Sequence, residues 1–155
     1  MSTVRSPLPD EARTVTGEAL QASVVELIDL GLLAKQLHWN VIGRSFRSVH
    51  KQLDEVVDLA RQYTDTLAER CVAIGCNPDG QSYTVARDTP LHGVETGYLP
   101  DEKAVRVMTD RLSEVSRHVR AHIATTERPD PVTQDIFLDL AHDIEEQHWM
   151  FQAMS

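Results

Sequence analysis

Between about Thr14 and Asn40, apolar positions recur at helical spacing. Leu20, Val24, Leu27, Gly31 and His38 share one face at about 100° per residue, while Leu30, Leu33 and Leu37 form a second apolar strip on another side. A helix with two apolar sides has two surfaces to bury. The first strip is expected to face the chain's own bundle, and the Leu30, Leu33, Leu37 strip is a surplus that suits a partner subunit. Gly43 interrupts the pattern. A second helix is expected from about Ser45 to Ile74, with Val49, Leu53, Val56, Ala60, Leu67 and Cys71 as its core stripe. Gly75 followed by Asn77 and Pro78 ends it, as a glycine at the helix end and a nearby proline do.

Residues 76–100 are rich in Gly, Pro, Thr and Asp and carry little periodicity. A connection this long is unusual in a compact domain. It suits a crossover running along the bundle, with a short helix near residues 82–87. A third helix is expected from Asp101, whose carboxylate can cap it, to about Glu127. Asp130 then caps a fourth helix, with Pro131 at its first position. Residues 1–13, with Pro7, Pro9 and few apolar groups, read as a loose tail ahead of a bundle over residues 14–155. The expected fold is all-α: four helices with one long crossover between the second and third, the ferritin-like layout.

A length of 155 residues is one domain's worth and buries a sizeable core without metals or disulfides. Aromatic residues are only 5% of the chain, so that core must rest on Leu, Val, Ile and Ala. The net charge of −9 repels nucleic acid and attracts cations. Cys71 and Cys76 lie five apart in a segment read as helix, a spacing too wide for a disulfide, so Cys71 is expected to pack as a small core residue. Free thiols fit a reducing cytoplasm. No stretch reaches the length of a membrane span, and the N-terminal segment lacks the apolar centre of a secretory signal.

The chemistry concentrates in His38, His50, Asp54, Asp65 and Glu69. On the second helix His50 and Asp54 are one turn apart, as are Asp65 and Glu69, and all four fall in a stripe roughly 100° wide. They cannot form one site within one helix, because the step from Asp54 to Asp65 rises about 16 Å. His50 and Glu69 are nevertheless centred between Leu59 and Ala60, and so are Asp54 and Asp65. If two copies of this helix pack antiparallel about a two-fold there, Asp54 faces Asp65 of a second chain and His50 faces its Glu69. Two equivalent sites result, each with ligands from both chains. His38, at the end of the first helix, completes each one. Imidazole with carboxylate suits Fe(II), Zn(II) or Mn(II), and the lack of thiolate argues against a soft metal. Any single pair of this kind also occurs on ordinary solvated helix faces.

These residues sit in a run, residues 35–75, that resembles the signature of the Dps proteins, the mini-ferritins of bacteria and archaea. His38-Trp39-Asn40 with Gly43, then Phe46, His50 and Asp54, then Asp65, Glu69 and Arg70 carry the resemblance. It implies a cytoplasmic dodecameric shell, in some settings associated with the nucleoid, built from two-fold dimers. Each of its twelve intersubunit sites would be a ferroxidase that oxidises Fe(II) to Fe(III) with hydrogen peroxide, or with dioxygen, and stores the ferric mineral. That activity protects against oxidative stress. By matching position, His38, His50 and Asp54 come from one subunit and Asp65 and Glu69 from its mate. The resemblance also places Trp39 beside the iron, and Asp130, Asp135 and Asp139 on the pores through which iron enters.

Two rival readings remain. A ferritin-type di-iron site inside each bundle needs Glu-x-x-His twice, but only Glu145 with His148 has that spacing, and Trp149 beside it suggests packing. A zinc-binding or regulatory bundle could use Glu114, His118 and His122, at i, i+4 and i+8, on what otherwise reads as a solvated face. DNA compaction, the family's other activity, often uses lysine-rich tails. Here residues 1–13 hold Arg5 and Arg13, offset by Asp10 and Glu11, so DNA binding is expected to be weak or absent.

Overall fold

The computed structural model describes residues 3–155, so the first two positions of the expected tail lie outside it. Four long helices, α1 (Asp10–Asn40), α2 (Phe46–Ala73), α4 (Asp101–Thr126) and α5 (Pro131–Gln152), form the bundle, and the short α3 (Ser82–Asp88) lies in the crossover. α1 packs along α2, α4 along α5, and α1 also lies against α4. The core stripe expected on α2 is buried throughout. It meets Met108 and Leu112 from α4 and Phe137, Leu140 and Ile144 from α5 in one apolar cluster. Truncating a fully buried leucine such as Leu53 to alanine in such a core costs about 2–5 kcal/mol.

α1 starts at Asp10, ahead of the expected Thr14. Pro9 precedes it, and Asp10 and Glu11 place negative charge on its positive end. Leu30, Leu33 and Leu37 are 0, 8 and 1% exposed within the chain itself, which overturns their assignment to a partner-facing strip. The reason is topological: a helix that lies against two neighbours needs two apolar sides to serve one core. Besides Trp39 in its last turn, the large apolar side chain that α1 leaves in solvent is Leu32, 60% exposed.

The corner where α1 turns into α2 is tied to the far end of the crossover. A two-residue strand β1 (Val41–Ile42) pairs in parallel with β2 (Leu99–Pro100), an element the periodicity did not reveal. Asp101 does not occupy the cap position of α4, which belongs to Pro100. Its carboxylate accepts from Glu102 N at 2.9 Å and from Ser45 N at 2.6 Å, so it ties the start of α4 to the start of α2. Gly43 has φ 136°, and a Cβ there would fall on that carboxylate, so the position requires glycine.

α2 ends as expected at Gly75, whose φ is 85°. Cys76 N donates to Cys71 O and Gly75 N to Val72 O, both at 2.9 Å, the paired bonds of a helix that stops by reversing. Cys76 therefore lies beyond the helix, and the spacing argument that kept the two cysteines apart does not apply. Both thiols are free.

Candidate metal centre

The last turn of α1 and the first turns of α2 meet across the 41–45 turn, and His38 and His50 lie against each other there. Their rings stack at 3.6 Å between centroids and 18° between planes. His38 Nδ1 lies 2.7 Å from the His50 carbonyl oxygen, and His50 Nδ1 lies 2.8 Å from that of His38. A carbonyl only accepts, so each Nδ1 carries the proton and donates. Each neutral ring then has its lone pair at Nε2. This is how a second shell fixes the tautomer of a metal-binding histidine. The His38 carbonyl is free for this because it lies in the last turn of α1, where helical partners run out.

Asp54, half-exposed, stands beside the pair with Oδ1 3.5 Å from His38 Nδ1. Lys35 donates to the same oxygen at 2.5 Å. That hydrogen bond holds the Asp54 carboxyl below the usual carboxylate range, against an opposing effect of burial, and the charge of Lys35 adds to it. Lys35 was not singled out from the sequence. Its signal was its position one turn before His38, on the same face of α1. Phe46, 42% exposed, tilts against His50 at 4.9 Å, and Trp39 is 66% exposed.

Asp65 and Glu69 are exposed on α2, and among the described residues no hydrogen bond or ion pair takes up either carboxylate. They stay remote from the histidines, as helical rise requires. Among the described residues no three His, Cys, Asp or Glu side chains converge closely enough to hold a metal ion. One chain thus carries two separate parts of the expected ligand set. Beside Asp65 a groove of about 310 Å³ runs past Ile28, Gly31, Leu32 and Arg61.

The chain matches the ferritin-like domain over residues 17–155. It is 31% identical to the DNA protection during starvation protein of Agrobacterium fabrum, over 96% of this chain and 93% of the relative. The chain belongs to the Dps family. It is 29% identical to DNA protection during starvation protein 2 of Deinococcus radiodurans over 88% of its own length, spanning 56% of that relative. The fold superposes on the Dps of Mycobacterium smegmatis with a TM-score of 0.93 at 27% identity, covering 99% of this chain and 93% of the other. No helix among the described residues is long and apolar enough to cross a membrane.

The three aspartates assigned by the Dps resemblance to the iron pore divide. Asp135 and Asp139 are exposed one turn apart on α5. Asp130 is only 2% exposed. It accepts from Arg70 Nη2 at 2.7 Å, from Thr133 Oγ1 at 2.5 Å and from Val132 N at 3.3 Å. Burial pushes its carboxyl up, but the bonds from Thr133, Arg70 and Val132 outweigh burial and leave it below the usual range. Within the chain Asp130 is a helix cap and an ion-pair partner.

The rival trio is also taken apart. Glu114 pairs with Arg111 at 3.6 Å, while His122 is half-buried and stacks on Phe137. His118 Nδ1 is 2.6 Å from Oε1 of Glu26, a 2%-exposed carboxylate on α1 that the sequence did not mark. The face is therefore not simply solvated: a cavity of about 690 Å³ opens beside Glu26, His118 and His122. Burial pushes the Glu26 carboxyl above its usual range despite His118, and burial, then His118, push His122 below its own. Glu145 is held by Arg120 and Ser116, and Trp149 is 61% exposed, so its expected packing is not within this chain.

Proposed function

We propose that this chain is a subunit of a dodecameric mini-ferritin whose ferroxidase sites form between two-fold-related chains. The observation that carries the reading is the reciprocally locked His38–His50 pair, each Nδ1 spoken for and each Nε2 left to a metal, with Asp54 Oδ1 3.5 Å from His38 Nδ1. Asp65 and Glu69 of a second chain would complete the set, and the groove past Leu32 would lie in the contact between copies. The substrate is Fe(II). Two Fe(II) ions each lose one electron, and hydrogen peroxide takes both as its O–O bond breaks, giving water. Dioxygen can serve as the slower oxidant. Carboxylate oxygens suit the harder Fe(III) that forms, without holding it so tightly that it cannot move to the mineral. Lys35 competes with iron for Asp54 Oδ1, so it guards the charge balance of the empty site. Trp39, exposed next to His38 in sequence, is available to quench stray oxidising equivalents or to pack against a second chain. Native mass with Fe(II) oxidation under peroxide and under air tests the whole reading. We expect an assembled shell and faster oxidation by peroxide. A monodisperse 17.4 kDa monomer at micromolar concentration would sink the proposal.

Iron access rests on Asp135 and Asp139. Three copies of this helix start around a three-fold axis would stack two acidic rings, and a narrow channel focuses their field. Replacing both residues with Asn should slow Fe(II) uptake at low iron, leave assembly unchanged and be partly rescued at high iron. An unchanged low-iron rate would mean that iron enters elsewhere.

The charge of −9 per chain is multiplied by assembly, and Arg13 is already paired with Asp10 at 3.1 Å. Phosphate binding by counterion release needs clustered free cations. No shift of duplex DNA is therefore expected at submicromolar protein in about 0.15 M salt without divalent cations. A clear shift under those conditions would overturn this part of the reading.

A further inference from the structure

Cys71 and Cys76 lie at the end of α2 remote from the histidine pair. The reversal at Gly75 brings them onto one hydrogen-bonded turn, with Cys76 N donating to Cys71 O. The two thiols are near enough to influence each other, Cys76 raising Cys71. The Cys76 thiol in turn faces the Arg13 carbonyl oxygen at 3.8 Å. Its sulfur fills the notch that Gly17 leaves on α1, since a Cβ on Gly17 would come within 2.6 Å of it. The sulfur is thus clamped between the start of α1 and the end of α2.

The two thiols are not equivalent. Cys71 is 1% exposed, and burial, then Cys76, push it up to about 11. Cys76 is only half-buried. An oxidant arriving from solvent meets Cys76 first, with a buried, protonated thiol on the same hydrogen-bonded turn behind it. A disulfide needs its two Cα atoms within about 4.4–6.8 Å, which helical spacing forbids and a reversed helix end permits.

We propose that Cys71 and Cys76 are a peroxide-oxidisable dithiol that closes to an intramolecular disulfide without iron. The Cys76 thiolate attacks one oxygen of hydrogen peroxide. The O–O bond breaks, and the departing hydroxide takes up a proton to leave as water, giving a sulfenic acid on Cys76. The Cys71 sulfur then attacks the Cys76 sulfur as its own proton passes to the departing hydroxyl. The S–O bond breaks, a second water leaves and the S–S bond forms. Two thiols lose two electrons and one peroxide becomes two waters. This chemistry shares an oxidant with the proposed iron reaction but does not depend on it.

The test uses the full-length, metal-free protein in chelator, treated with a modest excess of hydrogen peroxide, quenched, unfolded and alkylated before intact-mass analysis. We expect the wild type to lose both alkylations and two hydrogens per chain, with both alkylations restored by dithiothreitol. The Cys71→Ser variant should leave a sulfenic acid on Cys76 that dimedone traps. The Cys76→Ser variant should keep Cys71 alkylatable at the same dose. The proposal is overturned if the wild type keeps both thiols, if it forms disulfides only between chains, or if Cys76 runs on to sulfinic acid while Cys71 stays intact. Because iron is absent, failure of the ferroxidase reading would leave this result standing, and the reverse also holds.

Discussion

Replacing both His38 and His50 with alanine is expected to slow peroxide-driven Fe(II) oxidation by at least roughly 10- to 100-fold, the range commanded even by groups one shell away from a metal. The same loss is expected for Asp65→Ala with Glu69→Ala, although these carboxylates lie on a distant stretch of α2. Co-expression of the two double variants separates a shared site from two unrelated ones. In a mixed dimer, one site loses its histidines and its carboxylates together, while the other keeps both. With random pairing, half of the dimers are mixed and half of their sites are intact, so about a quarter of the wild-type sites return. Recovery near that fraction in hybrids verified by native mass supports ligands from two chains. Verified hybrids as slow as the parents would show that the histidine pair and the carboxylate pair do not act together.

Asp130→Ala should lower stability by about 3 kcal/mol, because it strips a buried ion pair and a helix cap at once. Arg70, whose side chain is 18% exposed, would lose its carboxylate partner, and Val132 N would lose its acceptor. In a chain of this size the loss corresponds to a fall in apparent Tm on the order of 10 °C. The sign of the pH dependence follows from the lowered carboxyl. Its stabilisation is fully present above the unfolded aspartate value of about 3.9 and is lost as pH falls through the lower, folded one. The gap between wild type and variant should therefore be full at neutral pH and shrink in strong acid. Asp135→Asn, on the exposed side of the same helix, should shift stability by less than about 0.5 kcal/mol. Equal thermal shifts in the two variants would mean that the Arg70–Asp130 pair contributes nothing particular.

Much of this protein can be read along the chain, because much of it is governed by neighbours in sequence. The 3.6-residue period of Val49, Leu53, Val56, Ala60 and Leu67 sets α2, and Gly75, Asp130 and Pro131 set helix ends, since caps and stops are local hydrogen-bonding problems. The symmetric spacing of His50, Asp54, Asp65 and Glu69 is also local, being a property of one helix. What the chain alone did not decide is where separate elements meet. Leu30, Leu33 and Leu37 read as a surplus strip because periodicity reports that a face is apolar and not which neighbour covers it. Asp130 reads as a helix cap along the chain, but its ion pair with Arg70, sixty positions earlier, does not. Lys35 on Asp54 and Glu26 on His118 join different helices, and no spacing rule connects them. The histidine tautomers are the clearest case: each is fixed by the other residue's carbonyl across the turn between α1 and α2. Sequence therefore determined the helices and nominated the ligands, while packing between helices decided which charges are spoken for and which lone pairs remain free.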